Sequence, residues 1–257
     1  MTANVTCGAT ELTGEEMMLF SRLRDMKLSG MAEALKKQFE DPNAGLRSAD
    51  ERIGEVIEAE WVLRYNKKFN RYLKGATLRY PAADLDESIY DPERRLDTTV
   101  IERLASCNWI DEGKNLLITG PTSGGKSYLA NALCIAAIRQ FKAVRYIKAS
   151  TLMGELERAR MQSDYLNYLE KMMRLDLLAI DDFGLMELDL DKCRDLFEVI
   201  DGRDGRRSTL VISQLPVIKW FDMFADSTYA DACLSRMTDR RHAYRLEMNG
   251  KSMRIPA

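Results

Sequence analysis

A single histidine, His242, serves all 257 residues, and none of the five cysteines (positions 7, 107, 134, 193 and 233) stands in a CxxC pair or beside it. That scarcity argues against zinc clusters and leaves cysteine nucleophile chemistry without a partner base. An odd number of thiols fits a reduced protein, and Cys134 and Cys193 fall at helical core spacing, so they read as inert filling. Long apolar runs are missing as well. The most apolar stretch, 128–138, is far short of the roughly 20 residues that cross a bilayer, and reads as a buried helix. The opening residues, MTANVTCGATELTGEE, lack the basic start and apolar run of a secretory signal, so a bacterial cytoplasmic location with no membrane contact is expected. Charge of one sign is nearly absent in sum, at −2, which excludes bulk attraction to nucleic acid and confines any such binding to local basic surfaces. Neither internal repeats nor low-complexity tracts occur.

What remains is the balance of a folded globular chain: 46% hydrophobic and 30% charged residues, at a length that suits one domain with an appendage. Residues 1–14 are small and polar and read as a flexible tail. From Glu16, Leu19, Leu23 and Met26, then Met31, Leu35 and Phe39, recur at helical spacing, with a break near Asp41-Pro42-Asn43. A longer helix follows, with Ile53, Val56, Ile57, Trp61, Tyr65, Phe69, Tyr72, Leu73 and Ala76 on one apolar stripe. Its first half is crowded with Glu51, Glu55, Glu58 and Glu60, and its second with Arg64, Lys67, Lys68, Arg71 and Lys74. No acid lies between Trp61 and Ala83. A charge run is ordinarily a solvated face. Five neighbouring cations repel one another, however, and a phosphate backbone would relieve that cost. Residues 15–80 thus form an expected all-helical domain with a candidate DNA-binding face.

Pro81 and the Asp84–Pro92 stretch read as a connector into a second domain, 81–257, opening with a short helix near Thr98–Cys107. Beyond it, short apolar strands at 115–119, 144–147, 177–181, 210–213 and 244–248 mostly alternate with helical segments. This order predicts an α/β three-layer sandwich with a mainly parallel sheet.

The chemistry sits at two strand ends. Gly120-Pro121-Thr122-Ser123-Gly124-Gly125-Lys126-Ser127 satisfies GxxxxGK[ST], follows the first strand and precedes a helix beginning at Tyr128 and carrying Leu129, Ala132, Leu133, Ala136 and Ala137 on one face. Such a loop turns main-chain N–H groups and a helix dipole onto phosphate oxygens. Lys126 would reach the β- and γ-phosphates of ATP, and the Ser127 hydroxyl would ligate Mg²⁺. The run Leu177 to Asp182 ends in two carboxylates: Asp181 would hold the metal shell, and Asp182 would orient or deprotonate the attacking water. Ser213 and Gln214 end a third strand, either as sensors of the γ-phosphate or as ordinary strand-end residues. Arg236 closes a helix over 227–237, with Arg240, Arg241, Arg245 and Arg254 beyond, and an arginine there could reach a neighbouring subunit's phosphate. The base pocket is expected around 90–109.

The whole order resembles the AAA+ ATPases of the helicase-loader and initiator clade, and most closely the IstB-like helper ATPases of bacterial insertion sequences. The stretches that carry this are MKLSGMAEALKKQFE, EAEWVLRYNKKFNRYLKGATLRYP, CNWIDEGKNLLITGPTSGGKS, LLAIDDFG, STLVISQLPVIKWF, STYADACLSRM and NGKSMR, spanning nearly everything after residue 15. The resemblance implies an AAA+ P-loop domain behind a helical region, with Lys126 and Ser127 in the phosphate loop, Asp181 and Asp182 at the metal and water, Ser213 or Gln214 on the sensor strand, and Arg236 as arginine finger. It also implies ATP-dependent self-association on double-stranded DNA without sequence preference, and stimulation of a partner transposase. A helicase loader shares the same core, and a P-loop phosphotransferase is a third reading. Ser123-Gly124 departs from the Gly-Val or Gly-Thr pair common in such loops. With Ala257 close behind Arg254, the C-terminal lid is expected to be reduced or absent, with Arg254 as a substitute for its sensor arginine.

Overall fold

The computed structural model describes residues 13–86 and 97–249. Two compact units divide it, 1–70 and 71–257. The division falls inside a helix, whereas the sequence suggests a boundary at 80/81. The last turns of that helix account for the difference, because Tyr72 packs edge-on against Phe141 and Ala76 is fully buried in the second unit.

The first unit is built from α1 (Gly14–Asp25), α2 (Ser29–Glu40) and most of α3 (Ala49–Ala76). Thr13 and Glu16 form a reciprocal capping box that starts α1, so the end of the expected tail is ordered, while residues 1–12 lie outside the described residues. Helix α2 has no side-chain cap of its own. Glu60 of α3 replaces it, accepting from the Gly30 and Met31 amides at 2.7 and 3.2 Å. Gly30 is required there, since a Cβ would stand 2.8 Å from the Ala59 carbonyl oxygen. Glu60, one of the crowd of acids in the sequence, is therefore a buried cap, and its other oxygen accepts from Arg64 at 2.6 Å. The Arg64 hydrogen bond, working against the cost of burial and aided by the two amides, holds the Glu60 carboxyl below the usual carboxylate range. The apolar stripe of α3 is not a core face throughout: Ile53, Ile57 and Trp61 are exposed, and Trp61, Tyr65 and Phe69 stack on one another along the helix.

The second unit holds α4 (Thr98–Ala105), α5 (Asn108–Asp111), β1 (Asn115–Thr119), α6 (Lys126–Arg139), β2 (Val144–Lys148), α7 (Ala149–Met161), α8 (Tyr165–Arg174), β3 (Leu177–Phe183), α9 (Leu190–Arg203), β4 (Ser208–Ser213), α10 (Ser227–Thr238) and β5 (Ala243–Glu247). The five strands pair in the order β2-β3-β4-β1-β5, all parallel. Strands β1 and β4 are buried along their whole length, as the middle of a sheet covered on both faces must be. Leu117, Leu178, Ile180 and Val211 point into a core shared with α7, α8, α9 and α10. Their alternates Leu116, Ile118, Ala179, Leu210 and Ile212 point the other way, where α6 packs. The result is the expected three-layer sandwich, with the C-terminal ends of β1, β3 and β4 at one edge. Cys107, Cys134, Cys193 and Cys233 are buried free thiols, and burial pushes Cys107 up to about 11. Cys7 and Arg254 lie outside the described residues, and among the described residues no helix is long and apolar enough to cross a membrane.

The Glu60 cap makes a prediction about the first unit. Glu60→Ala strands one buried and one part-buried amide and should lower stability by about 1–3 kcal/mol in urea titrations. Because the folded pKa is depressed, the wild-type contribution is full above the ordinary carboxylate pKa and fades as pH falls through the lower folded value. The variant should therefore lose less stability on acidification than the wild type does, and parallel acid limbs would contradict the assignment.

Candidate nucleotide site

Between β1 and α6 the chain reverses in six residues, and its backbone explains the residue types. Gly120 sits at φ 143°, and a Cβ there would lie 2.0 Å from the Met248 carbonyl oxygen, so no other residue fits this turn. Two left-handed positions follow in the loop, Ser123 at φ 64° and Gly125 at φ 87°, while Gly124 does not need positive φ. The departure noted in the sequence thus places a non-glycine residue, Ser123, in the left-handed region, with the backbone strain that brings. Lys126 and Ser127 occupy the first turn of α6, where the helix presents its unpaired amides.

The cleft so formed has a volume of about 300 Å³. It brings together Thr122 to Tyr128 with Asp181, Asp182, Ser213 and Gln214, as the sequence suggests, and adds Arg79, Tyr80 and Ile212. Gly120 and Pro121 shape the loop from beneath, the Pro121 carbonyl accepting from Lys126 Nζ at 2.7 Å. Burial lowers the Lys126 pKa, opposed by the charges of Asp181 and Asp182. An ammonium held in such a place gains from a polyanion what it lost in hydration.

Across the cleft, Ser127 Oγ donates to Asp181 Oδ2 at 3.0 Å. Asp181 is 1% exposed, so its carboxylate depends on its partners: the Asp182 amide at 2.8 Å on Oδ1, and the Tyr146 hydroxyl on Oδ2. A register shift between Ile180 and Phe183, with Asp182 at φ 56°, turns the two carboxylates apart at the end of β3. Asp182 is paired with Lys148 at 2.7 Å. A hydroxyl and a carboxylate on facing elements are hard oxygen donors, and among the described residues no cluster of three or more His, Cys, Asp or Glu competes with them. This donor set suits Mg²⁺ carried in on phosphates rather than caged by protein.

Ser213 and Gln214 separate clearly. The Ser213 hydroxyl donates to the Phe183 carbonyl (2.6 Å) and accepts from the Leu215 amide (3.0 Å) and the Trp220 indole (3.2 Å), its full capacity. Gln214 Oε1 instead accepts from Thr122 across the mouth at 2.6 Å. Arg236 lies on α10 away from the cleft lining, its guanidinium donating to Asp201 at 2.9 Å and to the Ala232 carbonyl, over the Phe197 ring. Of the stretch expected around the base, residues 90–96 lie outside the described residues, and Trp109 is a buried strut whose indole donates to the Leu104 carbonyl. Among the described residues, Arg79 and Tyr80, upstream of that stretch, line the cleft, with the Tyr80 ring 6.0 Å from Tyr128. No local motif marks them. The aromatic and basic residues of RYP, just past α3, are the only hint the sequence offers.

Residues 21–257 match the family described as IstB-like ATP binding protein. The chain belongs to the IstB-like ATP-binding protein family. It is 37% identical over 232 residues to the insertion sequence ATP-binding protein y4uH of Sinorhizobium fredii, covering 90% of this chain and 92% of that one. It is 39% identical over 196 residues to the ATP-binding protein of insertion sequence IS1162 of Pseudomonas fluorescens, covering 76% and 85%. In fold it is similar to DnaI (TM-score 0.55, 19% identity, 67% of this chain and 91% of that one) and to DnaA bound to AMPPCP and single-stranded DNA (TM-score 0.55, 18% identity, 66% and 51%). The family is described as ATP binding, and the fold that the chain shares with DnaI is preceded here by a helical unit.

The strained loop residue is open to direct test. Ser123→Gly should relieve a left-handed serine at a smaller cost in unfolded-chain entropy, for a net gain of roughly 0.5–1 kcal/mol and a rise in Tm of about 2–3 °C. An unchanged or lower Tm by calorimetry would contradict the strain.

Proposed function

We propose that this protein is a transposition helper: an ATPase that assembles with ATP on double-stranded DNA without sequence preference, recruits and stimulates the transposase of its insertion sequence in the bacterial cytoplasm, and uses hydrolysis as a switch. The observation that carries the reading is the meeting of Ser127 with the buried Asp181 carboxylate beside Lys126, in a chain whose relatives are insertion sequence ATP-binding proteins. Lys126 and the loop amides grip the triphosphate. Ser127 and Asp181 would hold Mg²⁺, which when bound would supply neutralisation of the developing phosphate charge. Gln214 senses the γ-phosphate from the mouth, and Ser213 anchors the loop behind it. Tyr80 and Arg79 offer a ring and a guanidinium to the base.

Asp182 polarises the lytic water once it is released from Lys148. Arg236 completes the site of an adjacent copy, and freeing it from Asp201 is cheap, because partly exposed ion pairs are worth about 1 kcal/mol or less. Turnover in the isolated chain is therefore slow, since an arginine arriving from outside contributes roughly 10³ to 10⁵ in rate. DNA is held by the cations of α3, with further help from Arg240, Arg241 and Arg245. Arg64 is engaged with Glu60 and the Lys27 carbonyl, so it contributes to that contact less than an unengaged arginine would. The helicase-loader reading has fold likeness in its favour. The sequence likeness, at twice the identity and over more of the chain, favours insertion sequences.

Sizing the protein with duplex DNA, with and without a non-hydrolysable ATP analogue, tests the assembly: a large species only when both are present supports it, and a monomer throughout rejects it. Lys67→Glu, Lys68→Glu and Arg71→Glu together should weaken ATP-dependent DNA binding and make its logarithmic salt dependence shallower by up to about 3. Unaltered binding would reject this face. Arg236→Ala should leave ATP affinity within about twofold while turnover falls at least 10³-fold in steady-state assays, and full turnover would remove Arg236 from the site.

A further inference from the structure

Behind the phosphate loop lies a polar network centred on two buried residues, Asn131 and Tyr146, that are not among those lining the cleft. Asn131, one turn beyond Ser127 on α6, is fully buried. Its amide nitrogen donates to the Ser127 carbonyl at 2.6 Å, and its amide oxygen accepts from the Tyr80 N–H at 3.1 Å. Tyr146, 5% exposed in the middle of β2, sends its hydroxyl to the Asp181 carboxylate. The main-chain oxygen of Tyr146 accepts from the Thr77 hydroxyl at 2.8 Å.

Polar atoms in such places cost free energy unless paired, and an apolar residue of similar volume would fill either position without that demand. Their partners explain them. Asp181 Oδ2 takes two hydroxyl donors, from Ser127 and Tyr146, while Oδ1 takes the Asp182 amide, so the plane of the carboxylate is fixed from both sides. Asn131 meanwhile fixes the peptide that carries Ser127. The far ends of both connections land on Thr77 and Tyr80, in the short segment leaving α3, where Thr77 adopts φ 53° and Tyr80 lines the cleft.

We infer that Tyr146 and Asn131 are positioning residues for the metal-binding pair Ser127 and Asp181, and that they tie this pair to the cleft-wall segment Thr77–Tyr80. The inference rests on the ATP and Mg²⁺ reading above. It gives the site a rigid outer support, of the kind whose loss typically costs 10- to 100-fold in metal affinity. It also gives the end of α3 a hydrogen-bonded route to the metal ligands.

The test compares binding of a fluorescent ADP analogue to the full chain in Mg²⁺ and in EDTA, with thermal melting alongside. Wild-type protein should bind more tightly in Mg²⁺. Tyr146→Phe, which removes one oxygen, should lose about 10- to 100-fold of that Mg²⁺-dependent gain while its affinity in EDTA stays within about twofold. Asn131→Leu should lose the gain in the same way, and its melting curve shows whether it has folded. Tyr146→Phe with wild-type Mg²⁺ dependence overturns the inference, as does an equal loss in Mg²⁺ and EDTA, which is the mark of a merely structural role. Wild-type protein that binds nucleotide in neither buffer would bring down the ATP reading itself, a different result from failure of the variant alone.

Discussion

One contact organises the second unit: a serine hydroxyl at the start of α6 meets a buried carboxylate at the end of β3, 3.0 Å away. Two residues separated by 54 positions can meet there only because β1 and β3 run parallel, with β4 between them, and end at the same edge. Parallel order demands crossover helices, and those helices bury both sheet faces, which is why the strands read as continuous apolar runs. The same order leaves a crevice beyond the strand ends, and the glycine turn at Gly120 lets the backbone pass under Met248 to line it.

Around that contact the charges are arranged to wait. Lys126 leans on the Pro121 carbonyl, Asp182 on Lys148, and Gln214 on Thr122. Each group is satisfied locally, by a partner that a triphosphate or its lytic water can replace. Under the proposed function, nucleotide binding would exchange these partners, as a nucleotide-dependent switch requires. The register shift at Asp181 and Asp182 belongs to the same economy, since it lets adjacent carboxylates face different partners.

Much of this was legible in the sequence because it is written contiguously. The phosphate loop, the paired aspartates and five strands are local patterns whose spacing is dictated by backbone geometry, and the structure follows them closely. Residues defined by tertiary neighbours were not legible. Glu60 reads as one of several surface acids until α2 places Gly30 against it, and Asn131 reads as part of an apolar helix until Tyr80 arrives from upstream. The α3 stripe misleads for a related reason: its periodicity marks a helix with an apolar side, yet period alone does not say whether anything covers it, and Ile53, Ile57 and Trp61 are left exposed. Ser213 and Gln214 are equivalent as strand-end polar residues, and only the placement of Trp220 and Thr122 distinguishes them.

Isothermal titration calorimetry of the pure, folded chain with magnesium ATP bears most directly on the claim that Lys126, Ser127 and Asp181 form one nucleotide site. The account predicts a saturable heat with one site per chain, abolished by Lys126→Ala in protein that melts normally. A folded wild-type chain that gives no heat at millimolar magnesium ATP would contradict it.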